Sequence, residues 1–368
     1  MRRNGPPTKR RAISRRTLLK GAVGATALAA AACRRGSGPT SERLIVNYQG
    51  GEVGRIFEET TIEPFAKKFG VEVIHDEMGV ASQDYARIRA SNGEPGFDVA
   101  ASLTAPEIIL GAKEGLLERI SEDNVPNVKY MWEKCKAAMP PYGIVQHLQY
   151  IGLFYNHDKI ARPESWRDYW APGEKYGEAI KGRVLQVDPG SILCHLVLIM
   201  GARAGGGDVD NMEPAFEFLE AQRPYVGLTE QSSSRMAPYF ENEEIWLSPY
   251  YSPRAAFYIE RGFPMTLVIP REGTLLLANT GAVPIGSQNK RLAFEFLNFR
   301  LEREVQRRFC LGYSISPGRA DMSDWPESFA ESQITTQEEM DAVVFPDFGA
   351  IAANRKDWSL RWQRIMGA

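Results

Sequence analysis

Short apolar runs alternate with stretches of helical apolar spacing along most of this chain. The first run, 44–48, breaks at Gly50, and apolar positions at helical spacing then follow over 53–69, up to Gly70. Further strands are predicted over 71–74, 97–102, 151–155, 183–188, 245–248 and 265–269, and further helices over 84–90, 106–115, 191–201 and 289–309. Because strands that alternate with helices are joined by crossover connections, the pattern predicts an α/β fold.

Loops rich in glycine, hydroxyl and aromatic residues follow four of the predicted strands. In an open α/β sheet, ligands bind in the crevice at the carboxyl ends of the strands, so these loops form the predicted ligand site. The candidate ligand-binding residues on or beside them are Gln49, Gly50, Ser102, Thr104, Asp188, Ser191, Tyr250, Tyr251 and Arg254. No serine among them lies in a Gly-x-Ser-x-Gly elbow, which argues against a serine hydrolase.

Composition excludes several classes of protein. The 368 residues contain no stretch of roughly 20 apolar residues, which excludes a multi-pass membrane protein. The four histidines are scattered along the chain, which argues against a zinc enzyme. The net charge of −2 is unevenly distributed, because residues 1–32 contain eight basic residues and no acidic one. Subtracting these eight from 44 leaves 36 basic against 46 acidic residues in the rest of the chain. An acidic body argues against nucleic acid and anionic membrane surfaces as partners.

The amino terminus has the order of an export signal. Residues 14–20 (SRRTLLK) precede a run of small and apolar residues up to Ala32. This segment resembles a twin-arginine signal, in which Arg15 and Arg16 direct export of a folded protein, so 1–32 is the predicted signal peptide. The function is then expected in the periplasm or on the outer face of the cell membrane.

Cys33 lies where a bacterial lipoprotein is acylated, and the polar segment 33–42 suits a tether. Acylation of Cys33 and plain cleavage after Ala32 remain two alternatives, because the preceding lipobox is imperfect. The other cysteines, Cys135, Cys194 and Cys310, are odd in number, so at most one pair can form.

Several motifs, in their order along the chain, resemble those of solute-binding proteins of bacterial ABC importers, in the spermidine/putrescine-type branch. In the first half they are 64–73 (PFAKKFGVEV), 97–99 (FDV) and 113–118 (KEGLLE); in the second half they are 151–156 (IGLFYN), 165–170 (SWRDYW), 269–273 (IPREG) and 289–299 (NKRLAFEFLNF). The resemblance covers about 44–322.

The resemblance implies a two-lobed periplasmic-binding-protein fold of type II, with mixed sheets flanked by helices and the ligand in the interlobe cleft. The expected first lobe comprises 43–149 and 278–318, and the second comprises 150–277 and 319–368. It further implies a monomer with no cofactor and no catalytic residues. Its expected partners are a small solute and an ABC permease in the cytoplasmic membrane.

The same resemblance implies a polyamine or a related organic cation as the solute. The polyamine binders of the family carry a Trp-x-Asp element after the Pro-x-Glu-Gly turn, whereas 275–279 here reads LLLAN. Asn279, a further candidate ligand-binding residue, therefore lies where an acid is expected, and Ser191 follows Asp188 where a second acid is expected. These differences favour a solute less cationic than spermidine.

Two other functions remain as alternatives. Tyr250 and Tyr251 are similar to the adjacent tyrosines of ferric-ion-binding members of the superfamily, and His75 and Glu52 are further candidate iron ligands. The competing hypothesis is that the tyrosine pair forms an aromatic cleft wall. Arg254 is predicted either to hold a carboxylate or phosphonate or to pair with a structural acid. An exported enzyme is the alternative from another class, although no dinucleotide or metal motif supports it.

Overall fold

The computed structural model describes residues 42–77, 80–231 and 235–367. The predicted signal peptide with Arg15 and Arg16, and the possible acylation site Cys33, lie outside the described residues.

Eleven strands are present in the described part of the chain. In chain order they are β1 (Arg43–Tyr48), β2 (Glu72–Glu77), β3 (Val99–Thr104), β4 (Ile144–Asn156), β5 (Val184–Val187), β6 (Val226–Glu230), β7 (Leu247–Tyr251), β8 (Met265–Val268), β9 (Thr274–Ala282), β10 (Ser316–Pro317) and β11 (Val343–Val344).

Sixteen α-helices accompany these strands in the same described ranges. They are α1 (Gly51–Phe57), α2 (Glu63–Phe69), α3 (Ala81–Ala90), α4 (Ala105–Lys113), α5 (Glu133–Ala138), α6 (Trp166–Trp170), α7 (Pro172–Tyr176), α8 (Ile192–Ala204), α9 (Glu213–Gln222), α10 (Ala237–Glu241), α11 (Ser252–Ile259), α12 (Lys290–Arg300), α13 (Arg303–Tyr313), α14 (Glu327–Ala330), α15 (Gln337–Ala342) and α16 (Phe348–Met366). A π-helical segment, Glu58–Ile62, joins α1 to α2.

The sheets are mixed, as predicted. In the first lobe β1 runs parallel to β2 and β3, while β9 runs antiparallel to β3 and β4. In the second lobe β5 runs parallel to β6 and β7, and β4 pairs antiparallel with β7 and β8. Helices pack on these sheets, so the α/β prediction is confirmed.

Three strands pass from one lobe to the other side by side. Strand β4 pairs with β9 up to Tyr150 and with β7 from Ile151 onward. Strand β9 pairs with β11 at Leu275 and with β4 from Leu276 onward. Such adjacent crossings between two lobes are the usual structural basis of hinge closure.

The two hydrophobic cores meet at these crossings. Tyr150 and Leu276 pack in the first core, whereas the preceding or following residues Ile151 and Leu275 pack in the second. On β11, Val343 packs in the first core and Val344 contacts the second.

The carboxyl-terminal segment is divided between the lobes. Phe329, Ile334 and Met340 pack in the first core, whereas Trp358 and Trp362 of α16 pack in the second. The expected second lobe included all of 319–368, so the packing differs from that expectation before β11. The position of this segment along the chain does not indicate that it packs on the first lobe before α16 begins.

The predicted helix over 289–309 forms two helices. Arg300 ends α12, and Glu302 adopts an extended conformation with φ −66° and ψ 140° before α13. The break turns α13 toward the interlobe cleft, where its last residue Tyr313 lies.

Candidate functional site

Two adjoining cavities, of about 60 and 80 Å³, lie between the lobes. The first lobe contributes the start of α1 and the end of α13, and the second lobe contributes α11 and the turn after it. The residues that line one or both cavities are Glu52, Ile56, Pro253, Arg254, Phe257, Tyr258, Glu260, Gly312, Tyr313 and Ser314. The cleft therefore has aromatic walls with charged groups on both sides.

The lobes touch each other beside these cavities. Ser314 Oγ of the first lobe donates a hydrogen bond to Glu260 Oε1 of the second, at 2.7 Å. Nearer the crossing strands, the Tyr150 N–H donates to Ser252 Oγ at 3.2 Å. These contacts explain why the remaining space is small, since pockets for drug-sized ligands typically measure about 300–1,000 Å³.

Gln49 and Gly50 connect β1 to α1 at the cleft side of the first lobe. Gly51 has φ +69°, a left-handed conformation that glycine adopts without a steric penalty. A Cβ on Gly50 would collide with the Glu77 carboxylate. The two glycines thus let α1 begin at once, which places Glu52 in its first turn beside the cavity.

Ser102 belongs to a buried polar network in the first lobe. Its hydroxyl lies 3.0 Å from Asn47 Oδ1 and also contacts the Asp84 carboxylate. Burial raises the pKa of Asp84, and the hydrogen bonds from Ser102 and Asn47 partly offset that rise. Because Ser102 is only 1% exposed, its hydroxyl holds β1, β3 and α3 together in this structure.

Thr104 and Asn279 are neighbours across β3 and β9. Thr104 caps α4, because its side chain and its N–H both bond to the Glu107 carboxylate. Asn279 Oδ1 accepts a hydrogen bond from Gln146 Nε2 at 3.1 Å. Both side chains therefore have protein partners.

Asp188 and Ser191 shape the turn between β5 and α8 in the second lobe. Asp188 Oδ1 accepts the Gly190 N–H at 2.7 Å, and Ser191 caps α8 by accepting the Leu193 N–H. Neither residue lines the two interlobe cavities.

Tyr250 and Tyr251 point to opposite faces of β7, because successive side chains of a strand alternate. Tyr250 is fully buried in the second core, stacked on Phe154 with ring centroids 5.3 Å apart. Burial raises the pKa of both tyrosines, which disfavours their phenolate forms. Because the two phenols lie on opposite faces of the strand, this geometry does not favour their sharing one ferric ion, the predicted alternative.

The other residues of that alternative are also separated in the fold. His75 Nδ1 lies 2.9 Å from Glu58 Oε1, and Glu77 completes a group whose ligand atoms lie within 4.8 Å of one another. Glu52 is not a member of this group and lines the interlobe cavity instead.

Arg254 is the candidate residue that the structure places most directly in the cleft. It lies in the first turn of α11 and lines the larger of the two cavities. Its positive charge lowers the pKa of Tyr250, Tyr251 and Tyr313, although burial outweighs it and raises all three. The guanidinium is therefore close to several phenol groups at the interface between the lobes.

The three aromatic residues that line the cleft were not among the predicted site residues: Phe257, Tyr258 and Tyr313. Phe257 and Tyr258 lie on the same helix as Arg254, so helical spacing from Arg254 could have found them. The place of Tyr313 in the cleft depends on the break between α12 and α13, which no local spacing indicates.

A buried arginine lies in the first lobe without an acidic partner. The guanidinium of Arg300 bonds to Gln146 Oε1 at 3.2 Å and to Thr61 Oγ1 at 3.1 Å, and no acid forms an ion pair with it in the described ranges. Its Cζ lies 3.9 Å from the ring centroid of Phe309. Burial lowers the pKa of Arg300 to about 10.

Two lobes joined by three adjacent strands, with a charged and aromatic cleft between them, define a two-lobed ligand-binding protein. The family of bacterial extracellular solute-binding proteins matches residues 60–338. Because that match covers more than half of the chain, the chain belongs to this family.

Relatives and solved structures agree with this assignment. The spermidine/putrescine-binding periplasmic protein of Escherichia coli K12 is 23% identical over 319 residues, which cover 83% of each chain. The crystal structure of an ABC transporter from Clostridium perfringens is 29% identical, with a TM-score of 0.72 over 88% of this chain and 99% of that one. The spermidine/putrescine ABC transporter substrate-binding protein PotD from Streptococcus pneumoniae has a TM-score of 0.76 at 18% identity, covering 89% of this chain and all of that one.

The protein is the solute-binding component of an ABC importer, and the prediction of a two-lobed periplasmic-binding-protein fold is confirmed. In the part of the chain that the structure describes, no helix combines the length and apolarity that crossing a membrane requires.

Proposed function

We propose that this protein captures a small organic amine in the interlobe cleft, outside the cytoplasm, and delivers it to its permease as a monomer without a cofactor. Glu52 carries this proposal, because it presents a carboxylate to a cavity walled by Phe257, Tyr258 and Tyr313. An ammonium group is attracted both by a carboxylate and by aromatic faces. The polyamine names of the relatives support the same class of solute.

A thermal-shift titration tests the proposal. The purified protein is titrated with putrescine, spermidine and simple monoamines, with a ferric chelate as a separate arm. A ligand that binds only the folded state raises the melting temperature with concentration. A shift with any amine supports the proposal; a shift with the ferric chelate alone contradicts it.

Glu52→Gln should weaken binding of the identified amine by about 10-fold or more, since it removes a charge-assisted contact. Glu59→Gln is the matched control, because Glu59 lies two turns away and pairs with Arg55 on the surface. Equal losses in both variants would remove Glu52 from the site.

Tyr251 is proposed as part of the same ligand site, since it immediately precedes α11, whose first turn carries Arg254. Tyr251→Ala should weaken binding while the protein remains folded. Unchanged affinity would remove the tyrosine from the site. We propose that Gln49 and Gly50, whose loop leads into α1, also belong to the ligand site. The other candidates are proposed to support the loops around the cleft: Ser102, Thr104, Asp188, Ser191, Tyr250 and Asn279.

Export by the twin-arginine route is proposed from the sequence of the amino terminus. Arg15→Lys combined with Arg16→Lys should retain the precursor in the cytoplasm, and normal export would contradict this route. Cys33→Ser should release a membrane-bound form into the soluble fraction if Cys33 is acylated. An unchanged distribution would favour plain cleavage after Ala32.

The family and its solved structures are substrate-binding transport proteins. We propose that this chain likewise has no catalytic activity. Turnover of the captured amine would overturn that part of the proposal.

A further inference from the structure

We infer that the solute carries a carboxylate as well as an ammonium group, with Arg254 binding the carboxylate and Glu52 binding the ammonium. The inference rests on the proposed function, because it specifies the chemistry of the amine that the same cleft takes.

The first argument is that opposite charges face one cavity from opposite lobes. Glu52 lies in the first turn of α1 and Arg254 in the first turn of α11, and both line the cavity of about 80 Å³. Within the described residues neither forms an ion pair at 4.0 Å or less. Arg55, one turn beyond Glu52, does pair with an acid, Glu59. A solute with one charge of each sign would complete both unpaired groups at once.

The second argument concerns the surroundings of Arg254. Tyr313 lines the same cavity as Arg254, and Tyr251 immediately precedes α11, which carries Arg254 in its first turn. The charge of Arg254 lowers the pKa of both phenols, although burial outweighs this effect. Phenol hydroxyls and a guanidinium are all hydrogen-bond donors, and the planar guanidinium matches a carboxylate with two parallel bonds. An ammonium group at this place would instead meet a positive charge.

The third argument is the number of acids available to cations. Among the described residues, two carboxylates line the cavities: Glu52 lines both, and Glu260 lines only the smaller one. Glu260 already accepts the hydrogen bond from Ser314 that joins the lobes. The cavity that Arg254 lines therefore offers one carboxylate, Glu52, to an ammonium group, which suits a solute with a single amine better than a diamine or triamine.

The position of Arg254 on its helix acts in the same direction. Partial positive charge at the amino terminus of a helix favours an anion, and α11 begins only two residues before Arg254. The carboxylate would thus meet the guanidinium, the helix end and the phenols on the side of the second lobe.

Isothermal titration calorimetry with three four-carbon compounds separates the end groups. The probes are 4-aminobutanoate, with an amine and a carboxylate; putrescine, with two amines; and butanoate, with no amine. Straight-chain ω-amino carboxylates from glycine to 6-aminohexanoate, each with its matched diamine, extend the test over chain length. We expect an amino carboxylate of one length to bind at least tenfold more tightly than its matched diamine.

Variants assign the charges to residues. Arg254→Gln should weaken binding of the amino carboxylate about 10- to 100-fold, and Arg254→Glu should transfer the preference to the matched diamine. Arg203→Gln is the matched control, since Arg203 pairs with Asp208 on the surface of the same lobe and does not line the cavities. Both substituted residues are at the surface or cleft, and an unchanged melting temperature without ligand verifies folding.

The outcomes separate this inference from the proposed function. Diamine binding as tight as that of the amino carboxylate, or an Arg254→Gln variant with unchanged preference, overturns the inference and leaves the amine proposal standing. Absence of binding by every amine in both series overturns both.

Discussion

Replacing Phe309 by leucine tests how the first lobe accommodates a buried charge. Arg300 is fully buried, and the face of Phe309 lies 3.9 Å from its guanidinium carbon. A desolvated cation–π contact contributes about 2 kcal/mol, and the packing lost with the smaller leucine side chain adds up to about 1.5 kcal/mol. Phe309→Leu should therefore lower the free energy of unfolding by about 2–3.5 kcal/mol.

Phe296→Leu is the matched control in the same core. Phe296 is also fully buried and packs edge-on against Phe57 and Phe65, but none of its ring contacts among the described residues is with a cation. Urea unfolding followed by tryptophan fluorescence should show a difference of about 2 kcal/mol between the two variants.

Adding Arg300→Met should remove that difference, because the cation is then absent from both backgrounds. Equal losses in the two single variants would refute the view that the aromatic face balances the charge. So would a difference that persists after Arg300→Met.

Three further predictions follow from other contacts. Ser314→Gly keeps the left-handed conformation at φ 49° but removes the hydroxyl that bonds to Glu260. Without ligand, this variant should show a larger radius of gyration in X-ray scattering than the native protein, and it should bind the solute about three- to tenfold more weakly. An unchanged radius of gyration would contradict this role of Ser314. Burial raises the pKa of Asp84 in the folded state, so the folded protein binds that proton more tightly than the unfolded chain. The stability that Asp84 contributes therefore falls as pH rises above its ordinary pKa of 3.8. Asp84→Asn should gain stability relative to the native protein as pH rises from that value, and a difference in urea midpoint that stays constant with pH would contradict this. Burial raises the pKa of three thiols, those of Cys135, Cys194 and Cys310. A disulfide-exchange reagent should therefore react with these three thiols only after denaturation. Reaction of any of them in the folded protein would refute their burial.

Much of the fold could be predicted because the residues that end its strands and helices are recognisable from their immediate neighbours in the sequence. The predicted breaks at Gly50 and Gly70 lie at the ends of β1 and α2. Strand β9 was missed because its leucine run, 275–277, has no alternation to distinguish strand from helix. Helix α16 was missed although Trp358 and Trp362 have helical spacing, since the recognised motifs end near residue 322.

The site could be predicted only in part, because its members come from distant segments. Tyr251 and Arg254 follow a strand end and were found by that rule, and Arg254 lines the cleft. Ser102 follows the same rule, yet its hydroxyl faces Asp84 of α3, which no sequence spacing indicates. Tyr313 reaches the cleft from α13, 59 positions after Arg254, through the break that follows Arg300.

The three crossing strands have a consequence for how solutes are selected. Because they are hydrogen-bonded side by side, we expect them to bend together and to restrict the lobes to motion about one axis. The protein, and not the solute, therefore fixes the distance between the two halves of the cleft when it closes. A solute that is too long would remain attached to one half and hold the other away, so that the chain is occupied without reaching its closed shape. Length becomes a criterion of selection that is independent of charge, and a long competitor would act as an inhibitor of uptake instead of as cargo.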